Sequence, residues 1–137
     1  MRKISWPCVI ALAVLSVGCG IPNTVSELSG DYMLHEGAVE ISLHLSGDGT
    51  YSENVLMADG TKQEARGKWE VVEGHVHFSK LLIPEKLRSY PASTEAKPKD
   101  VTELDEGYYV LPAERWFSKI QLVVDPDQDI NFVRMGR

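Results

Sequence analysis

Cysteine is nearly absent from this chain: there are two in 137 residues, Cys8 and Cys19. With Cys8 inside an N-terminal segment that reads as removable, no disulfide is available. A body without such staples must rest on one sizeable hydrophobic core, and the chain is long enough to build one. Basic residues are in the minority, 14 Lys and Arg against 20 Asp and Glu, for a net charge of -6. That balance argues against nucleic acid and against electrostatic adsorption to anionic lipid. The longest apolar stretch, Ile4 to Val17, is too short to span a bilayer. No Gly-x-Ser-x-Gly elbow occurs, and no serine stands where a neighbour would activate it, so nucleophilic catalysis has no visible machinery. Glu103, Asp105 and Glu106 form a carboxylate cluster, but one that reads as a solvated strand end.

What is present begins with an address. Met1-Arg2-Lys3 is a basic n-region, Ile4 to Val17 an apolar h-region, and the segment ends Leu15-Ser16-Val17-Gly18-Cys19. This is a secretory signal pattern. Small residues directly before a cysteine resemble the lipobox of bacterial lipoproteins, with Ser16 where that motif usually has Leu. The resemblance implies removal of 1–18 and acylation of Cys19 by diacylglycerol and a further fatty acid such as palmitate. The membrane, reached through these acyl chains, is then the first partner. Gly20 after the cysteine, by resemblance to Gram-negative lipoproteins, implies the outer membrane. An ordinary signal peptide cleaved near Gly18 is the alternative. Residues 19–29 then make an acylated cysteine and polar tether, with room for one helical turn at Thr24 to Leu28, and residues 30–137 make the body.

That body is organised around Val39 to Ser79. Val39, Ile41, Leu43 and Leu45 alternate with Glu40, Ser42, His44 and Ser46, the period of a half-buried strand. Gly47-Asp48-Gly49 turns the chain, and Tyr51, Glu53, Val55 and Met57 lead out again. A three-residue loop at Asp59-Gly60-Thr61 pairs Tyr51 with Trp69, Val55 with Ala65 and Glu53 with Gly67, keeping the large apolar groups on one face. A two-residue Glu73-Gly74 turn sets Val71 against Val76 and Trp69 against Phe78. Leu28-Ser29-Gly30-Asp31-Tyr32 opens the body and Glu36-Gly37 turns it into the meander. Further strands are expected at Val101 to Leu104, Tyr108 to Leu111, Trp116 to Val124 and Ile130 to Met135, with a five-residue loop at Asp125 to Asp129. The total is about eight or nine strands with no long helix, an all-β antiparallel meander. Lys80 to Asp100 shows no strand period and reads as a long loop, with one helical turn open from Pro84 to Arg88.

Gly30-Asp31-Tyr32, Leu43-His44-Leu45, Asp48-Gly49-Thr50-Tyr51 and Gly67-Lys68-Trp69 resemble small bacterial lipoproteins with a lipocalin-like meander. Over Leu28 to Phe78 the resemblance implies a small closed or nearly closed barrel and no particular activity.

Three groups invite chemistry. His75 and His77 share an outer strand face about 7 Å apart, which begins a zinc or copper site but lacks a third ligand; the sequence offers no complete metal site and implies no cofactor. Asp125, Asp127 and Asp129 alternate as calcium ligands do, without the glycine and distal glutamate of such a loop, and read as a turn. Glu53 faces inward, where an unpaired charge is expensive. It can escape by a bulge, pair internally with Arg134, or anchor a ligand in a small cavity lined by Tyr51, Trp69 and Phe78. The resulting expectation is a lipid-anchored envelope lipoprotein working as a non-catalytic interaction module toward another envelope protein or the cell wall. The alternatives are a lipocalin-like carrier of a small apolar ligand and, behind both, an enzyme of unknown reaction.

Overall fold

The computed structural model describes residues 20–84, 87 and 107–136. Within them lie a one-turn helix α1 (Val25–Leu28) and eight strands: β1 (Gly30–Glu36), β2 (Val39–Leu45), β3 (Thr50–Leu56), β4 (Lys62–Val72), β5 (His75–Leu81), β6 (Gly107–Trp116), β7 (Lys119–Asp125) and β8 (Ile130–Arg134). Each strand pairs antiparallel with the next. β1 closes on β8 through Tyr32 opposite Arg134 and Met33 opposite Val133, so the meander is a closed barrel. Closure removes the sheet edges that an open meander would leave unpaired.

The alternation read from the sequence sets the inward face. Ile41, Leu43 and Leu45 from β2, Tyr51 and Val55 from β3, Trp69 from β4, and Val76 and Phe78 from β5 are all buried. Glu73-Gly74 is the tight turn expected, with Trp69 opposite Phe78 and Val71 opposite Val76. Both turn residues have positive φ, as a two-residue hairpin of this hand requires.

The β3–β4 register differs from expectation by two residues. Tyr51 stands opposite Gly67, Glu53 opposite Ala65 and Val55 opposite Gln63. The connection is not three residues but five, Met57 to Thr61, closed by Met57 N donating to Thr61 O at 2.9 Å and Gly60 N to Met57 O at 3.0 Å. A shift of two preserves the facing, so the core is unaffected, but it gives the empty position at Gly67 to Tyr51. A Cβ there would lie 3.0 Å from the Tyr51 ring and 2.5 Å from Ser79 Oγ, which itself accepts from Lys68 N at 2.9 Å.

Two further boundaries move. β6 runs through Pro112 to Trp116, handing over at that proline from pairing with β5 to pairing with β7. The chain then reverses at Phe117-Ser118, so the strand expected at Trp116 starts only at Lys119. The last hairpin loop is Pro126 to Asp129, since Asp125 pairs with Ile130. The strand expected at Val101 to Leu104 lies outside the described residues, as does most of the 80–100 loop.

The meander order puts the chain segments at two ends. One end, called here the tether end, carries residues 20–24, α1, and the turns after β2, β4 and β6. The far end carries the turns after β1, β3 and β7 and the chain leaving β5. That chain leaves the sheet after Leu81, the last β5 residue, which still pairs with Gly107. Leu81, Leu82 and Ile83 are buried in succession, and so is Leu87, whose N donates to Pro84 O at 2.9 Å. Successive burial without alternation means a segment crossing the opening, which is how a barrel of this size is filled and shut.

Candidate functional site

The inward set comprises Tyr51, Glu53, Trp69 and Phe78, brought together by β3, β4 and β5. All four are buried. Tyr51 and Phe78 meet edge to face with ring centroids 5.2 Å apart, a preferred aromatic geometry. Trp69 Nε1 donates to Ser46 O at 2.9 Å, which satisfies its polar edge.

Glu53 is 1 % exposed and, among the described residues, has no charged partner. Its sheet neighbours are Leu43 on β2 and Ala65 on β4. The bulge that would turn it outward is absent from the continuous β3 registers, and Arg134 is engaged elsewhere, donating to Glu27 O at 2.6 Å and Ser29 O at 2.5 Å. What Glu53 has is the plug: Leu82 N donates to Oε2 at 2.8 Å, while Oε1 is buried without a hydrogen bond. Burial disfavours the charged carboxylate and pushes its pKa up to about 8, with the Leu82 N–H the one opposing influence. At neutral pH the carboxyl therefore holds its proton and presents an O–H donor inside the barrel.

Tyr51 is two positions away on the same face. Its hydroxyl is also buried without a well-formed hydrogen bond. Burial, and secondarily the carboxyl of Glu53, raise its pKa to about 12; the nearby Ser79 hydroxyl and Lys80 backbone oppose this. The pair supplies two neutral hydroxyl groups in an apolar wall. Such an arrangement can hold a proton or hydrogen-bond a small polar group. It contains no activated nucleophile.

The outer groups are dispersed. His75 Nδ1 is 3.0 Å from Glu73 O, His77 meets the Tyr108 hydroxyl, and His44 Nδ1 lies 2.6 Å from Asp31 Oδ1. Among the described residues, no group of three or more His, Cys, Asp or Glu could hold a metal. Asp125 is buried rather than solvated: Oδ1 accepts from Asp127 N and Gln128 N, and Oδ2 from Gln128 Nε2, making the acidic run a side-chain-closed turn.

A surface cleft of about 370 Å³ lies at the tether end, lined by Gly20, Ile21, Gly74, His75, Arg115 and Trp116 among others. Nothing in the sequence reading pointed to it, because it forms where the tether folds back on the barrel. Asn23 Oδ1 accepts from Gly74 N at 2.8 Å, and Ile21 lies where a Cβ on Gly74 would be, 2.5 Å from its Cγ2. Thr24 and Glu27 form a reciprocal cap on α1, and Glu27 Oε1 accepts from Arg115 Nη2 at 3.2 Å. Cys19 lies outside the described residues. No family model, no curated protein and no solved structure matches the chain.

Proposed function

We propose that the chain is an envelope lipoprotein, acylated at Cys19 and held at the outer membrane, whose closed barrel works as a non-catalytic interaction module. The observation that carries the second half of this reading is the closure of the far end. Leu81, Leu82 and Ile83 are buried and Leu82 N is spent on Glu53, so the interior is occupied by the protein's own side chains. Recognition of another envelope protein or of the cell wall then falls to the outer strand faces and the far end. The acidic, disulfide-free body and the signal pattern with its small residues before Cys19 support the anchoring half.

A second reading, a carrier of a small ligand, is favoured by one specific observation: Glu53 Oε1 and the Tyr51 hydroxyl are buried without hydrogen bonds and lie on one inward face. A guest with a polar head would satisfy both, after displacement of the Leu82 segment. The anchoring is tested by Cys19→Ser, which should release the protein from detergent-dependent extraction, and by globomycin, which should accumulate the unprocessed precursor. Native mass spectrometry of the gently extracted protein separates the two readings. The bare acylated mass is expected; a copurified small molecule lost in Glu53→Gln would turn the assignment to a carrier.

A further inference from the structure

Most of the described large apolar groups left in solvent are gathered at one end. Ile21, Trp116, Phe117 and Met135 are all exposed, Trp116 at 63 % and Phe117 at 92 %, and Val72 beside the Glu73-Gly74 turn joins them. Trp116 and Phe117 form an edge-to-face pair at the tip of the β6–β7 hairpin. Elsewhere Leu56 and Val133 are partly exposed on the barrel wall, and Tyr108 at the far end is as exposed as Trp116 but has its hydroxyl engaged by His77.

Phe117 is the most telling of these residues. It occupies the first position of a two-residue hairpin turn with φ 53, where glycine or asparagine fits without strain and a bulky side chain does not. An almost wholly exposed aromatic gains little from the fold in return beyond its edge-to-face contact with Trp116. A water–bilayer interface accommodates such a pair: the indole of Trp116 has an apolar body and a polar N–H that match the gradient, and the wholly apolar Phe117 ring can be buried beside it.

The tether fixes which surface meets the tip. Ile21 is seated on Gly74, Asn23 holds Gly74 N, and Gly20 lines the same cleft as Trp116. Cys19 is one peptide bond from Gly20, within about 3.8 Å Cα to Cα. With the tether docked from Gly20 onward, an acyl chain carried on Cys19 would start next to the cleft that Trp116 lines. We infer that the tether end is a bilayer-contact surface: Trp116 and Phe117, with Ile21, enter the interfacial layer of the membrane that holds the acyl chains. This rests on the anchoring reading. The charges around the tip are mixed, Lys119 and Arg115 against Glu73 and Glu114, so the contact is apolar and does not need anionic lipid.

The test uses the processed, full-length protein in phosphatidylcholine vesicles, with intact mass reporting the acylation of Cys19 separately. If the signal segment is removed, Trp69 and Trp116 are the remaining tryptophans, and Trp69 is buried. Lipids brominated at shallow acyl depth, about 5 to 10 Å into the interface, should quench the Trp116 emission, and that quenching should vanish in Trp116→Ser. Phe117→Gly keeps the reporter and removes the strained φ, so it should fold at least as stably as the parent while losing most of the quenching. Acylated protein whose Trp116 is quenched by acrylamide but not by bromine overturns the proposal and leaves the anchor intact. Protection from both quenchers means that a second copy or another protein covers the tip, and also overturns it. An unmodified Cys19 removes the anchoring reading and this one together.

Discussion

The two ends of the barrel are closed by the same device, a chain segment laid across the opening, but their polar atoms are treated differently. At the tether end several strong donors find backbone carbonyls, although Arg115 Nε is buried without a hydrogen bond. Arg134 donates to Glu27 O and Ser29 O, the Tyr32 hydroxyl to Leu28 O at 2.7 Å, and Trp69 Nε1 to Ser46 O. Toward the far end Leu82 N donates to Glu53, and two buried oxygens nearby, Glu53 Oε1 and the Tyr51 hydroxyl, are left without a well-formed hydrogen bond. A buried polar group left unmade costs more than a made one contributes. The carbonyl-capped donors of the tether end therefore contribute stability, while the interior near Glu53, like Arg115 Nε, gives some of it up.

Truncation and relief should accordingly act with opposite signs. Trp69→Ala removes a buried aromatic and a hydrogen bond from the tether end and should destabilise by about 3 to 5 kcal/mol, read as a lowered urea midpoint. A loss below about 1 kcal/mol would mean that the tether end is not where stability resides.

Glu53→Gln should go the other way. The folded pKa of about 8 lies above the ordinary 4.5, so between these values the unfolded chain has released the proton while the folded one keeps it. Stability then falls as pH rises through that window, by about 1.4 kcal/mol per unit, and is flat below it and above it. Among the described groups, those facing Glu53 are Leu43, Ala65, Tyr51 and Val55, with Leu82 N on the carboxyl itself; Tyr51 stays neutral across the window and none carries a positive charge. Gln cannot ionise, so the variant should lose this slope and be more stable at pH 7 by about 2 to 3 kcal/mol. Denaturant midpoints from pH 4 to 9 for the two proteins check it; parallel curves would show that Glu53 is solvated.

How much of this was legible depended on what side-chain parity can report. Alternation fixed the facing of Tyr51, Glu53, Trp69 and Phe78, because a slip of one residue would have turned them all out. It could not distinguish registers two residues apart, and Gly67 was assigned to Glu53 when it makes room for the Tyr51 ring. The Phe117-Ser118 turn was invisible for a related reason: turns are recognised by Gly, Asn, Asp or Pro, and this one uses an aromatic. The Leu82 plug carries no period at all, since a segment crossing a barrel mouth buries successive residues, and only contact with Glu53 gives it meaning.

Arg134→Met sharpens the comparison at the tether end. It preserves much of the side-chain volume over Gly30 but leaves the carbonyls of Glu27 and Ser29 without their donor. The expected loss is about 2 to 3 kcal/mol, as for hydrogen bonds from a charged group, and it should add to that of Trp69→Ala, whose bond to Ser46 is a separate one.

The smallest effect should come from Thr24→Ala, which separates closing the barrel from docking the tether. Thr24 Oγ1 accepts from Glu27 N at 3.2 Å, and Glu27 Oε2 accepts from Thr24 N and Asn23 N, each at 3.1 Å. Removing the hydroxyl breaks one half of this cap on a helix of a single turn, a loss of about 1 kcal/mol. Leu28 and the Arg134 bonds would still hold α1 over the opening, so the barrel should unfold at nearly its parental midpoint. Asn23, however, directly precedes the cap and holds Gly74 N. Hydrogen exchange at Gly74 should therefore speed up in Thr24→Ala well beyond what the global loss allows, while exchange in β2 and β3 follows global stability. Equal acceleration everywhere would mean that tether and barrel open as one unit, and that the tether end is a single cooperative structure.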